Sequence, residues 1–177
     1  MVDPVTAWMQ SAPWLTEEEI VSVADALAGR WSPYADAREL PVSALVTAVE
    51  HSEPARGTWA LRRALPLVRP DVESPKETEL RLLLGRAGLP EPEVNVRTYD
   101  ENDLYLGKPD LRWLLFNTCA EYEGDEHRTD KHRHRSDIAR RERFADAGWR
   151  MVRVTEDDLH GVASKRLIAR FCRLLGV

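Results

Sequence analysis

Residue 74 divides the chain by periodicity, and the order of elements after it admits few folds. Ser74-Pro75-Lys76-Glu77 combines an N-cap serine, a proline at the first helical position and a glutamate three residues after the cap. A helix therefore starts there and runs to about residue 86, where Gly88 and Pro90 close it. Strand-like segments follow at 93–99, 104–113 and 118–123, the first two joined by the turn residues Asp100 to Asp103. A helix over about 134–147, a strand over 149–155 and a helix over about 163–175 complete an α-β-β-β-α-β-α order. That order describes an α/β (α+β) protein with a small mixed sheet flanked by helices.

Before residue 71 the pattern is helical. Thr16 and Glu19 have capping-box spacing, and Ile20, Val23, Ala24 and Leu27 form an apolar stripe that Gly29 ends. Further helices are expected at about 42–51 and 57–68, with Pro70 as the stop. The expected organisation is a helical segment, 1–70, able to dock a protein partner, followed by a domain at 71–177.

Strand alternation organises the carboxylates of the second part. Glu121 and Glu123 are two apart and share one strand face, while Ala120 and Tyr122 share the other. On the preceding strand Asp110 and Arg112 share a face opposite Leu111 and Trp113. Pairing the two strands with their apolar faces inward brings Asp110 beside Glu121. Carboxylates that converge repel one another unless a divalent cation neutralises them, and oxygen-only ligation favours Mg²⁺ or Mn²⁺ over Zn²⁺. The competing explanation is a set of solvated residues on the open face of an antiparallel sheet.

Charge supports the first explanation by its distribution rather than its sum. A net charge of −5 argues against a protein that coats nucleic acid non-specifically. Yet residues 121–126 read EYEGDE, and the strongly basic HRTDKHRHRSDIARRER follows at 127–143. Arg128, Lys131, Arg133 and Arg135 are candidate phosphate contacts. Arg140, Arg141 and Arg143 serve equally well as phosphate contacts or as a solvated helix face balanced by Asp137, Glu142 and Asp146. His127, His132 and His134 with Cys119 lack zinc-site spacing. Cys119 and Cys172 form no C-x-x-C pair and read as small buried thiols. Trp113 and Trp149 read as core. No apolar run approaches the roughly 18 residues of a membrane span, and residues 1–10 lack a signal-peptide pattern, so the cytoplasm is the expected location.

Four segments in order carry a resemblance: Ser74-Pro-Lys-Glu-Thr-Glu-Leu-Arg-Leu-Leu-Leu84, Pro109-Asp-Leu111, Ala120-Glu-Tyr-Glu-Gly-Asp-Glu-His127 and Gly148-Trp-Arg-Met-Val-Arg-Val-Thr155. Together they resemble the very-short-patch-repair-like endonuclease domain of the PD-(D/E)xK nuclease superfamily, over about residues 74–160. The resemblance implies a restriction-endonuclease-like α-β-β-β-α-β core and a Mg²⁺- or Mn²⁺-dependent nuclease acting on DNA, with RNA not excluded. It assigns Asp110 and Glu121 as metal ligands and Glu77 as the acidic residue of the first core helix. A capping box would explain Glu77 equally well. Glu123 stands where the superfamily signature has lysine and where this family commonly has aspartate. Glu123 would then accept a proton from water or complete a second metal site. His127 matches a common family position, able to orient water or phosphate or to protonate the leaving oxygen. The start at Val2-Asp-Pro-Val-Thr-Ala-Trp8 looks like a point where longer members are already under way, which implies a missing upstream module. The missing lysine leaves one alternative of another class, a catalytically inactive nuclease fold that binds DNA or protein as a regulator.

Overall fold

The computed structural model describes residues 2–32, 38–124 and 131–177, with the backbone alone at 131–136. They form two compact units, Met1–Glu79 and Leu80–Val177. The protein is mixed α/β, with seven α-helices, a four-stranded mixed sheet and a two-stranded hairpin among the described residues.

The N-terminal unit contains α1 (Pro4–Ser11), α2 (Glu17–Ala28), α3 (Val42–Glu50) and α4 (Thr58–Ala64). The capping box of α2 forms as expected: Glu19 N–H donates to Thr16 Oγ1, and Thr16 N–H donates to the Glu19 carboxylate. The sequence reading missed α1, whose signal was Asp3 at the N-cap before Pro4. It made α4 too long, since the chain tightens into a 3₁₀ turn at Leu65–Leu67 around Pro66. Trp8 is buried and its Nε1 donates to the Ile20 carbonyl. Asp25, fully buried on α2, accepts from Arg69 N–H at 2.6 Å and from Thr78 Oγ1 at 2.7 Å.

The second unit continues α5 (Pro75–Arg86) into β1 (Glu93–Val94), β2 (Thr98–Tyr99), β3 (Tyr105–Gly107), β4 (Leu111–Trp113) and β5 (Thr118–Tyr122). Then come α6 (Lys131–Asp146), β6 (Arg150–Val154) and α7 (Gly161–Leu175). The sheet order is β1-β4-β5-β6, antiparallel except for the parallel β5–β6 pair that α6 joins. Two of the expected strands are each two strands. Asn95 at φ 52° breaks 93–99 into β1 and β2. Pro109, with no N–H to give a ladder, separates β3 from β4. The hairpin β2–β3 is thus an insertion between two sheet strands. Its turn is held by Asp100 Oδ1, which accepts from the Asn102 and Leu104 N–H groups at 2.8 Å.

Register sorts the sheet into two buried faces. Leu111, Ala120 and Val152 align across three strands, and next to them Trp113 meets Phe171 of α7, ring centroids 5.1 Å apart. The other face aligns Arg112, Cys119 and Met151. There Cys119 packs with Leu106, Phe144 of α6 and Trp149, and the two aromatic rings meet edge-on at 6.0 Å. Trp113 and Trp149 are core residues, as expected.

Thr78→Val should remove one of the hydrogen bonds that hold the buried Asp25 carboxylate. Bonds to charged groups are worth about 1.5–3 kcal/mol, so the urea midpoint should fall by that equivalent with the slope unchanged. An unshifted midpoint would show that Asp25 does not depend on Thr78.

Candidate functional site

Asp110 and Glu121 come together as strand pairing requires. Leu111 pairs with Ala120, so one step further out Asp110 stands across from Glu121. Asp110 Oδ2 accepts from Tyr122 N–H at 2.7 Å, which anchors that carboxyl to β5. Glu121 lies on the face that α6 covers, and its side chain is 19% exposed. The acidic face is therefore not an open, solvated one, because Phe144 and Trp149 close it around Cys119.

Burial raises the Glu121 pKa, since water cannot solvate its charge. Arg140 opposes that shift most strongly, with Arg141 and Arg153 also lowering it, while Asp137 adds to the rise. Arg140 forms an ion pair with Glu121 Oε1. The pair lacks hydrogen-bond geometry, so this buried oxygen accepts no hydrogen bond among the described residues. The same guanidinium donates to the Lys108 carbonyl at 2.9 Å and lies 5.9 Å from the Phe144 ring centroid. Gly107 makes room for it: a Cβ there would sit 2.5 Å from Arg140 Nε and 3.0 Å from Phe144 Cε2.

Glu123 continues the ladder through its N–H to the Val154 carbonyl at 2.8 Å, and its carboxylate pairs with Arg153 Nε. Glu123 is thus a carboxylate with its own arginine partner. Glu77, 6% exposed, sits in the first turn of α5. Its N–H donates to Ser74 Oγ, and its Oε2 accepts from Glu73 N–H at 2.9 Å, one residue earlier than a standard capping box would place that donor. His127 and Arg128 lie outside the described residues. Lys131, Arg133 and Arg135 fall on the backbone of α6, with their side chains outside the description.

Arg140 is the residue whose role the sequence reading left open. Arg140 and Phe144 are four apart on α6, hence on one helix face, and a core phenylalanine turns its neighbour toward the sheet. That spacing was the available signal. Arg112 was also missed: it is buried and holds β4 to β1 by its pair with Glu93 at 2.8 Å and its bond to the Arg97 carbonyl.

The donor set suits a hard cation of the Mg²⁺ kind. Among the described residues no three His, Cys, Asp or Glu side chains gather closely enough to form a full cage. Mg²⁺ keeps several of its waters and takes one or two carboxylates. Asp110 and Glu121 could supply two, with Glu121 Oε1 ion-paired to Arg140 in this structure. Burial first and the Glu121 charge second push the Cys119 thiol up to about 12.

No protein-family model matches the chain, and no solved structure matches it significantly. Two curated proteins of Mycobacterium tuberculosis, from strains CDC 1551 / Oshkosh and H37Rv and both described only as uncharacterized, are each 30% identical to it over 133 residues. The match takes in 75% of this chain and 48% of each relative, so the chain spans about half the length of the curated relatives it matches. No helix among the described residues is long and apolar enough to cross a membrane.

Cys119 should resist alkylation. With its pKa raised, the reactive thiolate is absent at pH 8 and appears only as the pH climbs toward 12. Iodoacetamide at pH 8 should label the partly exposed Cys172 and spare Cys119 until the chain is unfolded, as read by peptide mass spectrometry. Labelling of both thiols at equal rates in the native protein would contradict this environment.

Proposed function

We propose that the chain is a metal-dependent nuclease domain with a restriction-endonuclease-like core, cutting phosphodiester bonds in DNA. The observation that carries this reading is the meeting of Asp110 with a half-buried Glu121 near the end of a central strand, beside a helix whose first turns are basic in sequence. Its support from sequence is the motif order from Ser74 to Thr155. The two mycobacterial relatives neither add to it nor subtract from it.

In this reading Asp110 and Glu121 hold the cation, and the Tyr122 N–H fixes the Asp110 carboxyl. The bound Mg²⁺ or Mn²⁺ would polarise the phosphate and lower the pKa of an attacking water. Glu123, at the site's edge and 34% exposed, is the carboxylate of this chain assigned to accept a proton there, and its ion pair with Arg153 orients it. Lys131, Arg133, Arg135 and Arg128 are assigned to backbone phosphates, which sets the register of the nucleic acid without reading its sequence. His127 is assigned to the leaving oxygen by the resemblance alone. Residues 1–70 are the proposed surface for a protein partner.

One observation favours a catalytically inactive regulator instead. Glu121 and Glu123 each have an internal arginine counter-ion, so their charge is balanced without a metal. The two readings separate in a cleavage assay on a panel of labelled DNA and RNA. The nuclease reading expects cutting with Mg²⁺ or Mn²⁺, none with chelator, and none after Asp110→Ala or Glu121→Ala in folded protein. Metal-independent cutting, or cutting that survives both substitutions, removes Asp110 and Glu121 from the site.

Glu77 has its own test. Glu77→Gln keeps an oxygen for the Glu73 N–H, so the helix start should form and the protein should stay folded. As a cation ligand it should still lose at least about tenfold in activity, equal to roughly 1.4 kcal/mol. Activity near wild type would return Glu77 to the helix start. For the basic segment, neutralising Lys131 and Arg133 should reduce the slope of log K against log salt by roughly 0.7–0.9 per lost contact. An unchanged slope would make that face merely solvated.

A further inference from the structure

Arg140 occupies a built seat rather than a chance surface pairing. Three features define it: the Glu121 carboxylate, the Lys108 carbonyl at 2.9 Å and the Phe144 ring. Gly107 leaves the space, since any side chain there would collide with Nε. The Arg140 side chain is only 28% exposed. Lys108 lies two residues before Asp110, so Arg140 bridges the approach to one acid and the head of the other. The oxygen it neutralises, Glu121 Oε1, is the one that accepts no hydrogen bond.

We propose that Arg140 is a resident counter-ion that holds the place of the divalent cation at Glu121, so that the guanidinium and the metal are alternative partners of one carboxylate. This rests on the metal-binding reading given above. A largely buried carboxylate that stays ionised needs an opposite charge, and the seat supplies it when no metal is bound. Loading the site then requires Glu121 to exchange its guanidinium for the cation and requires Arg140 to give up the Lys108 carbonyl. Arg140 is thus a positioning residue that sets the metal affinity. Its removal strengthens metal binding, whereas loss of an ordinary structural ion pair weakens it.

The test is Mn²⁺ titration of the full chain by calorimetry, with thermal melts with and without Mn²⁺ in parallel. Arg140→Gln removes the charge. Gly107→Ala keeps the charge and crowds the guanidinium out of its seat. Both should bind Mn²⁺ about tenfold or more tightly than wild type, in the range usual for coupled binding events. Both should also gain more melting temperature from Mn²⁺ than wild type does, because tighter binding to the folded state stabilises it more. Asp110→Ala should abolish binding in every background. If wild type binds through Asp110 and Arg140→Gln binds equally or more weakly, the counter-ion role is wrong and the metal site stands. If neither wild type nor Arg140→Gln binds, the metal reading falls and takes this inference with it. Binding that survives Asp110→Ala unchanged places the metal elsewhere and overturns it as well.

Discussion

A carboxylate placed where water reaches it poorly has to be given a positive charge by the protein, and the second unit is organised around that demand at Glu121. Its side chain faces the sheet surface that Phe144 and Trp149 close. Burial raises its pKa, and Arg140, Arg141 and Arg153 pull it back. Removing one partner of a fully buried pair costs about 3–5 kcal/mol, more than the pair itself is worth. With side chains 19% and 28% exposed, Glu121 and Arg140 approach that regime. The Glu123–Arg153 pair, with both side chains at least one third exposed, belongs to the weak surface class, where about 0–1 kcal/mol is typical. The two neighbouring pairs therefore differ in weight: Glu121 depends on a positive partner, whichever group supplies it, and Glu123 depends far less on Arg153.

The topology explains why the charges meet at this point. β5 lies between antiparallel β4 and parallel β6. Antiparallel pairing brings the start of β4, with Asp110, to the end of β5, with Glu121. The parallel connection obliges a crossover, and α6 provides it. Arginines on α6 thus lie over the same strand whose acids they neutralise, and Arg153 on β6 stands beside Glu121 in the register. β3 ends at Gly107, just before Pro109, and the Lys108 carbonyl between them accepts from Arg140.

Much of this was legible in the sequence because it is local. Ser74 to Glu77, Thr16 with Glu19, and the alternation through Ala120, Glu121 and Tyr122 carry their structure within a few residues. The meeting of Asp110 with Glu121 followed from alternation plus a single pairing assumption. What escaped depends on one residue's backbone or on distant partners. Asn95 at a left-handed φ splits a strand that looks continuous. Arg112 is buried only because Glu93, the Arg97 carbonyl and Thr98 Oγ1 surround its guanidinium. Arg140 looked like one more member of a basic run, although its i,i+4 relation to Phe144 already pointed it inward.

The proposed site stands or falls on whether Asp110 and Glu121 share a divalent cation. An anomalous-difference map from a crystal soaked in Mn²⁺ tests it most directly. The expected result is a peak between the two carboxylates, within coordination distance of an oxygen of each, with the Arg140 guanidinium turned away from Glu121. A fully soaked crystal with no peak at this position, and the Arg140–Glu121 pair intact, would contradict it.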